Sequence, residues 1–356
     1  MSQAANALLA KCRAKYGNRV GPAEITAMLG CRTVTEIAGY LRKSSRYYER
    51  FSRLDERLIH RQRMESELAA QVYDDMASLG RYNLGRGDWF GQYVIMRGEI
   101  SQLLEYLRLL AAGRPGEYIF SLPKFFAGFQ KLNLESLASA KTYDEFLRLI
   151  EGTRYHKILR AFAPIYDETR GKDNINYAII EQALYSKLYD KIFETIHDKF
   201  RGKAHEELHD LFGTYVDLEN FSHIYRLKRF YGADHDTCRT MVYPHYHRIS
   251  KKVMAELIAA PKSDAALEIL SKKTPYGKKI DPDTAAGGYM TSAIHGIIAR
   301  KAVRLLRFST HPSSVMMGYL QLAELEKRDL TTIIEGIRYS ISPDEIRRLI
   351  VIDKYD

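Results

Sequence analysis

Asp329-Leu330-Thr331-Thr332-Ile333-Ile334-Glu335-Gly336-Ile337-Arg338 decides how this chain folds, because the same pattern stands twice upstream. Glu99 lies nine positions before Arg108, Asp217 nine before Arg226, and Asp329 nine before Arg338. Ile100, Leu218 and Leu330 directly follow the acids, and Leu107, Tyr225 and Ile337 directly precede the arginines. The copies are 118 residues (99 to 217) and 112 residues (217 to 329) apart. That is too long for a short solenoid repeat and about the size of a small domain. Three copies predict three similar units.

Ile333, Ile334, Ile337 and Ile341 recur at helical spacing, as do Leu103, Leu104 and Leu107, so each copy is expected to be a helix. An acid in its first turn would complement the positive end of the helix dipole. A nine-residue step turns about 900°, so acid and arginine cannot pair along a straight helix. The local candidate lies three residues before the arginine: Glu105 for Arg108, Glu335 for Arg338, and His223 for Arg226.

The rest of the chain repeats as well. A helix from about Ser2 to Tyr16 is expected, then a restart after Gly21-Pro22, then a capping box in Thr33 and Glu36 that opens a helix ending near Ser45. Tyr47 to Leu79 reads as one long polar helix with Leu54, Leu58, Met64, Leu68 and Val72 as its apolar face, followed by the glycine-rich stretch Gly80 to Trp89. Gly113-Arg114-Pro115-Gly116 is the clearest linker. Beyond it the box returns as Thr142 with Glu145, and Thr153-Arg154-Tyr155 answers Ser45-Arg46-Tyr47. A long helix from about Asn174 to Phe200 follows, and the unit closes at Gly232. In the last third Ser263 stands for the capping threonine and Thr274-Pro275-Tyr276 for Thr153-Arg154-Tyr155, with Ala266 where the capping glutamate was. Helices from about Gly288 to Phe308 and from Val315 are separated by His311-Pro312, and Ser342-Pro343-Asp344-Glu345 caps a short final helix. No segment alternates with period two, so the chain reads as all-α, each third packing its own helices, with units 1–113, 114–234 and 235–356.

The 356 residues, 46% hydrophobic and 28% charged, have a mean hydropathy of −0.34 and suffice for two or three modest cores. The most apolar long segment, Ala285 to Val303, contains His295, Arg300 and Lys301, and the N-terminus has no secretory pattern, so a cytoplasmic location is expected. Cys12, Cys31 and Cys238 are odd in number without Cys-x-x-Cys spacing, which suits free thiols. The net charge of +10 raises nucleic acid as an alternative partner. The cations mix with acids, however, as in Arg53 to Arg63, and only Lys272 to Lys279 is one-sided.

Phosphate-loop, dinucleotide, zinc-protease and serine-hydrolase signatures are absent, so no catalytic residue and no cofactor are expected. Asp234, His235, Asp236 and Cys238 with His245 and His247 are the best metal candidates, though not at a standard ligand spacing; a polar surface loop explains them as well. Tyr47, Tyr155 and Tyr276 recur once per unit, which suggests anchors between helices rather than a stacking platform for bases.

Leu325 through Tyr339, followed by Ser342-Pro343-Asp344-Glu345-Ile346, resembles the C-terminal signature of the C subunit of prokaryotic V-type (V/A-type) ATPases and ATP synthases, which is similar to the d subunit of eukaryotic vacuolar ATPases. Asp217-Leu218-Glu219-Asn220 and Tyr225-Arg226-Leu227-Lys228 resemble that family's middle segment, whereas Glu99-Ile100-Ser101-Gln102 departs from it. The resemblance implies a non-catalytic rotor part: three helical domains in a funnel-like, pseudo-threefold arrangement, on the cytoplasmic face of the membrane. Its implied partners are central-stalk subunits D and F, the proteolipid ring, and the stator's membrane component as a further candidate, with no nucleic acid. Arg226, Arg338, Asp217 and Asp329 are the candidate protein-interface residues, an internal salt bridge being the alternative for the arginines.

Overall fold

The computed structural model describes residues 3–44, 46–55, 59–82, 89–118, 132–164, 166–167, 172–280, 288–352 and 354. The opening helices are α1 (Gln3–Gly17), α2 (Pro22–Leu29) and α3 (Val34–Leu41). Thr33 accepts the Glu36 N–H at 3.2 Å, and the Glu36 carboxylate accepts the Arg32 N–H at 2.8 Å, one residue earlier than an ideal box. The single helix expected over Tyr47–Leu79 is instead α4 (Tyr48–Phe51) and α5 (Arg61–Gly80). Two side chains make the break. Arg42 donates to the carbonyls of Phe51 (3.0 Å) and Leu54 (2.8 Å), satisfying acceptors that would otherwise propagate the helix, and His60 caps α5 by accepting the Arg63 N–H at 3.3 Å. Ser45, Leu58, and residues 83–88 of the Gly80 to Trp89 stretch lie outside the described residues.

α6 (Trp89–Ala111) stops just before Gly113, whose φ of +74° suits glycine, and a 3₁₀ turn covers Pro115–Glu117. Then come α7 (Leu134–Leu137), α8 (Tyr143–Leu149) and α9 (His156–Ala161). At the start of α8 the box recurs, Thr142 accepting the Glu145 N–H at 3.2 Å and Glu145 accepting the Lys141 N–H at 2.7 Å. Strands β1 (Tyr166–Asp167) and β2 (Lys172–Asp173) form a two-residue antiparallel clip, the only sheet among the described residues. α10 (Tyr177–Lys199) and α11 (Gly202–Tyr231) follow, α11 ending at Gly232 with φ +57°. The segment read as a polar loop contains α12 (His235–Thr240), and α13 (Lys251–Ala259), capped by Ser250, follows it. α14 (Ser263–Lys273) corrects the third cap: Lys262 occupies the cap position, and Ser263 lies in the first turn, where its hydroxyl bonds Asp264. A 3₁₀ turn over Gly277–Lys279 leads to α15 (Met290–Phe308), α16 (Pro312–Arg338) and α17 (Pro343–Leu349). Ser342 caps α17 by accepting the Glu345 N–H at 3.3 Å.

Two compact units are formed. The first comprises Met1–Gly87, Lys199–His235 and His245–Asp356. Its axis is α16, buried along most of its length and packed by α15, α1 and α5. Here the expectation that each third packs its own helices fails. Val20, Ile25, Ile37, Leu41, Phe51 and Leu68 from the opening of the chain share one core with Leu330, Ile333, Ile334 and Ile346 from its end. Gly336 permits a close approach to that core: a Cβ there would lie 2.5 Å from Ile346 Cδ1.

The second unit comprises Asp88–Asp198 and Asp236–Pro244. The Tyr106 ring stacks on Phe146 with centroids 5.1 Å apart, and its hydroxyl donates to the Ala140 carbonyl at 3.1 Å. Tyr143 donates to the Leu159 carbonyl at 2.9 Å. Gln182 of α10 donates to the Val242 carbonyl at 3.3 Å, and Tyr189 packs edge-on against Tyr243 at 4.8 Å.

Candidate functional site

The three repeated acids are enclosed. Glu99 is 1% exposed, and Asp217 and Asp329 are 0% exposed. Each sits in the middle of its helix rather than in the first turn, because α6, α11 and α16 all begin at least ten residues earlier. The repeated tyrosines explain why buried acids are tolerated. Tyr155 donates to Glu99 at 2.7 Å and Tyr276 donates to Asp217 at 3.0 Å. Tyr47 donates at 2.9 Å to Glu326, one turn before Asp329 on the same helix. Each tyrosine therefore meets the acid-bearing helix of the preceding copy, and the first tyrosine meets the last helix. Their approach is fixed locally: Thr153 accepts the Tyr155 N–H at 3.4 Å and Thr274 the Tyr276 N–H at 3.2 Å, while the two hydroxyls donate to the carbonyls of Ile150 and Leu270. These tyrosines are anchors.

Asp217 and Asp329 also organise backbone. Asp217 accepts the N–H groups of His247 (3.1 Å), Arg248 (2.6 Å) and Ile249 (3.0 Å), and Asp329 those of Val351 (2.7 Å) and Ile352 (2.8 Å) plus the Arg328 guanidinium (2.6 Å). In this way a turn without regular secondary structure satisfies its buried donors. Burial pushes both carboxyls above their ordinary range, outweighing these hydrogen bonds. Burial and the neighbouring acid likewise push the Tyr155 and Tyr276 hydroxyls up.

Two further charged groups tie distant parts of the first unit together. Buried Asp75 accepts from Arg46 (2.7 Å), Lys15 (2.6 Å) and Tyr319. Asp210 accepts from His247 Nε2 (2.8 Å), Arg248 Nη2 (2.9 Å) and Lys301, and Lys301 also donates to Thr214 at 2.7 Å. Burial alone would raise the Asp210 carboxyl, but the hydrogen bonds from His247, Lys301 and Arg248 override it and hold it well below the usual carboxylate range. Little in the local sequence marks these residues, since apart from Gln71, which donates to Asp75 at 3.3 Å, these partners are remote in the chain.

The repeated arginines stand apart from their acids. Arg108, Arg226 and Arg338 are all exposed. Arg108 pairs with Glu105 at 2.6 Å, as its spacing predicts. Glu335 instead pairs with Arg61 at 3.2 Å, and the Arg338 guanidinium lies 5.4 Å from the centre of the Tyr339 ring. His223 faces Glu219 at 3.9 Å. Exposed Phe230, Tyr231 and Tyr339 surround the ends of α11 and α16 where Arg226 and Arg338 stand. Asp217 and Asp329 hold those helices from within, and Arg226 and Arg338 mark their outer surface. Among the described residues no group of three or more His, Cys, Asp or Glu could hold a metal ion, and no helix is long and apolar enough to cross a membrane.

Residues 8–349 match the sequence model of the family described as ATP synthase (C/AC39) subunit. The chain belongs to this family. Among its relatives, the C subunit of the A-type ATP synthase of Methanothermobacter thermautotrophicus is 23% identical over 344 residues, 92% of this chain and 83% of that protein. Its counterpart in Methanocaldococcus jannaschii is 24% identical over 71% of this chain, and that in Pyrococcus furiosus 25% identical over 61%. These two matches span 63% and 57% of the relatives' own lengths. The acids Glu99, Asp217, Glu326 and Asp329 and the tyrosines Tyr47, Tyr155 and Tyr276 all lie within the matched residues.

Proposed function

We propose that the chain is the non-catalytic C component of an A/V-type ATP synthase or ATPase, placed between the central stalk of subunits D and F and the membrane proteolipid ring, where it transmits torque. The family match across nearly the whole chain carries this reading. The buried nodes support it. An adaptor under load must hold its helices in register, and here each tyrosine ties one helical segment to another through a carboxylate away from water. In this reading the three similar domains, 1–113, 114–234 and 235–356, surround a pseudo-threefold axis on the cytoplasmic face. Arg226 and Arg338 face the stalk from the ends of helices that Asp217 and Asp329 secure.

The test is reconstitution in vesicles with and without the chain, following ATP hydrolysis and ion uptake together. Uptake is expected to require the chain while hydrolysis by the head does not. Pumping at an unchanged ratio of ions to ATP without it, or ATP turnover by the pure chain, defeats the proposal. Neutralising Arg226 and Arg338 together should weaken binding to isolated stalk proteins and leave the melting temperature unchanged; the reverse result makes the arginines structural.

A further inference from the structure

Three imidazoles from two segments of the first unit stand in a row. His205 and His209 lie one turn apart on α11 with their rings stacked, centroids 5.8 Å apart, and the His247 ring meets His209 at 5.2 Å with 66° between the planes. His247 belongs to a turn without regular secondary structure, in which the chain re-enters the first unit at His245. A notch in α11 receives its ring: a Cβ at Gly213 would lie 2.6 Å from His247 Cγ and 2.8 Å from His247 Cβ. The ring Nε2 donates to Asp210 at 2.8 Å, and the backbone N–H groups of His247, Arg248 and Ile249 donate to Asp217. His247, a metal candidate in the sequence, is thus engaged as a hydrogen-bond donor, and among the described residues no group of three or more His, Cys, Asp or Glu could hold a metal ion.

The carboxylate beside His209 is already in use. Asp210 follows His209 on α11, yet it accepts from His247 and Arg248 of the turn and from Lys301 of α15. Lys279, in the 3₁₀ turn after α14, acts on Lys301, and Tyr276 donates to Asp217. Glu207, also on α11, accepts from Ser309. Burial, and then the His247 and His205 rings, hold the His209 imidazole below its ordinary value against the opposing pull of Asp210. A proton on His209 therefore favours any arrangement in which the His247 ring has left the notch and water reaches the row.

We propose that the three rings form a proton-operated latch. With His209 neutral, the His247 ring stays in the Gly213 notch and the turn 245–250 is held on α11; with His209 protonated, the ring is expelled and the turn opens while α11 and α15 stay folded. Because the folded value of His209 lies below the ordinary one of about 6.5, the latch is closed above that pH and opens progressively as pH falls below it. The open fraction can rise by at most about thirtyfold between pH 8 and pH 5, the limit for one imidazole with an ordinary value in the open state. Asp217, whose carboxyl burial pushes up, is the competing proton acceptor, since its protonation would loosen the same three N–H groups.

Hydrogen exchange of the full-length chain is followed at pH 8 and pH 5, each amide rate being divided by its unstructured rate at that pH. The amides of His247, Arg248 and Ile249 are expected to lose protection by about threefold to thirtyfold at the lower pH. Those of Val351 and Ile352, which donate to Asp329 in the same manner, should hold theirs. His209→Gln, similar in size and without a titrating ring, keeps the turn protected at both pH values. Gly213→Ala, which leaves all three imidazoles in place, fills the notch and leaves the turn open even at pH 8 with far-UV dichroism unchanged. A pH response that survives in His209→Gln assigns the proton to Asp217 and overturns the proposal. So does a loss below about threefold, a loss shared by the whole first unit, or full protection of the turn in Gly213→Ala at pH 8.

Discussion

Asp217→Ala tests the role of the buried acids most directly. The carboxylate serves four donors: the N–H groups of His247, Arg248 and Ile249 and the Tyr276 hydroxyl. Three of these reach Oδ2 and one, from His247, reaches Oδ1. Alanine strands all four in a region that Asp217, itself 0% exposed, keeps from water. A buried donor without an acceptor costs about 1–3 kcal/mol. Relief of the carboxylate's own burial penalty, which shows in its raised pKa, offsets part of that. A net loss of about 3–5 kcal/mol is expected, on the scale of breaking a buried charged network. Asp217→Asn should cost less, because one amide oxygen can keep the three Oδ2 donors and only His247 loses its acceptor. Tyr276→Phe removes a single donor, for about 1 kcal/mol. Arg226→Ala, nine residues along the same helix but exposed, should stay within about 0.5 kcal/mol of wild type. Urea unfolding of the four variants at constant m-value ranks them, and a double-mutant cycle between Asp217→Ala and Tyr276→Phe should show a coupling above about 0.5 kcal/mol. Equal losses for Asp217→Ala and Arg226→Ala, or strict additivity in the cycle, would refute the anchoring argument.

Gly336→Ala should destabilise the first unit by about 1–3 kcal/mol, because the new methyl meets Ile346 Cδ1 at 2.5 Å; pairing it with Ile346→Val should restore part of the melting temperature. Asp210 has a folded pKa below its unfolded value, so its stabilisation is present above the unfolded carboxylate pKa of about 3.9 and is lost as pH falls from there towards the folded value. Asp210→Asn should therefore flatten stability against pH below about pH 4, whereas Asp217 and Asp329, with raised folded pKa values, act with the opposite sign. Cys12 is buried with its thiol pushed up to about 12, so it should resist alkylation at neutral pH in the native chain and react on unfolding.

What was legible in the sequence was local. Thr33, Thr142 and Ser342 cap the helices they announce, and Gly113 and Gly232 adopt the positive φ that their places at helix ends require. A cap reaches only three or four residues, so its signal survives any tertiary context. The misreadings all involve partners that spacing cannot reveal. The polar stretch after Tyr47 breaks because Arg42 reaches forward nine and twelve residues to its carbonyls. Ser263 lost its cap because α14 starts one residue early and places the serine inside the first turn. Asp217 and Asp329 read as acids at helix starts, whereas α11 and α16 begin at Gly202 and Pro312, well upstream of them.

The same contrast accounts for the repeated tyrosine. Its recurrence was visible, but its partner lies 56 residues away in one case, 59 in another and 279 in the third. The first two separations are nearly equal because each tyrosine closes onto the helix of the copy before it. The third spans most of the chain because the first tyrosine has no earlier copy and takes the last helix instead. Closing so long a loop has a large entropic cost, although that cost grows only slowly with length. The buried Arg46, Asp75 and Tyr319 group and the apolar core from Val20 to Leu68 reinforce the same closure. The opening helices should therefore depend on α16 for their stability. Removing residues 343–356 exposes Leu330, Ile333 and Ile334 and, with them, the cover of Ile25 and Ile37. Hydrogen exchange of that truncated chain should show α2 and α3 losing protection together with α16, while Tyr106 and its neighbours in the second unit keep theirs. Loss of protection confined to the new C-terminus would mean that the opening helices do not depend on the cover that Ile346, Ile350 and Ile352 give this core.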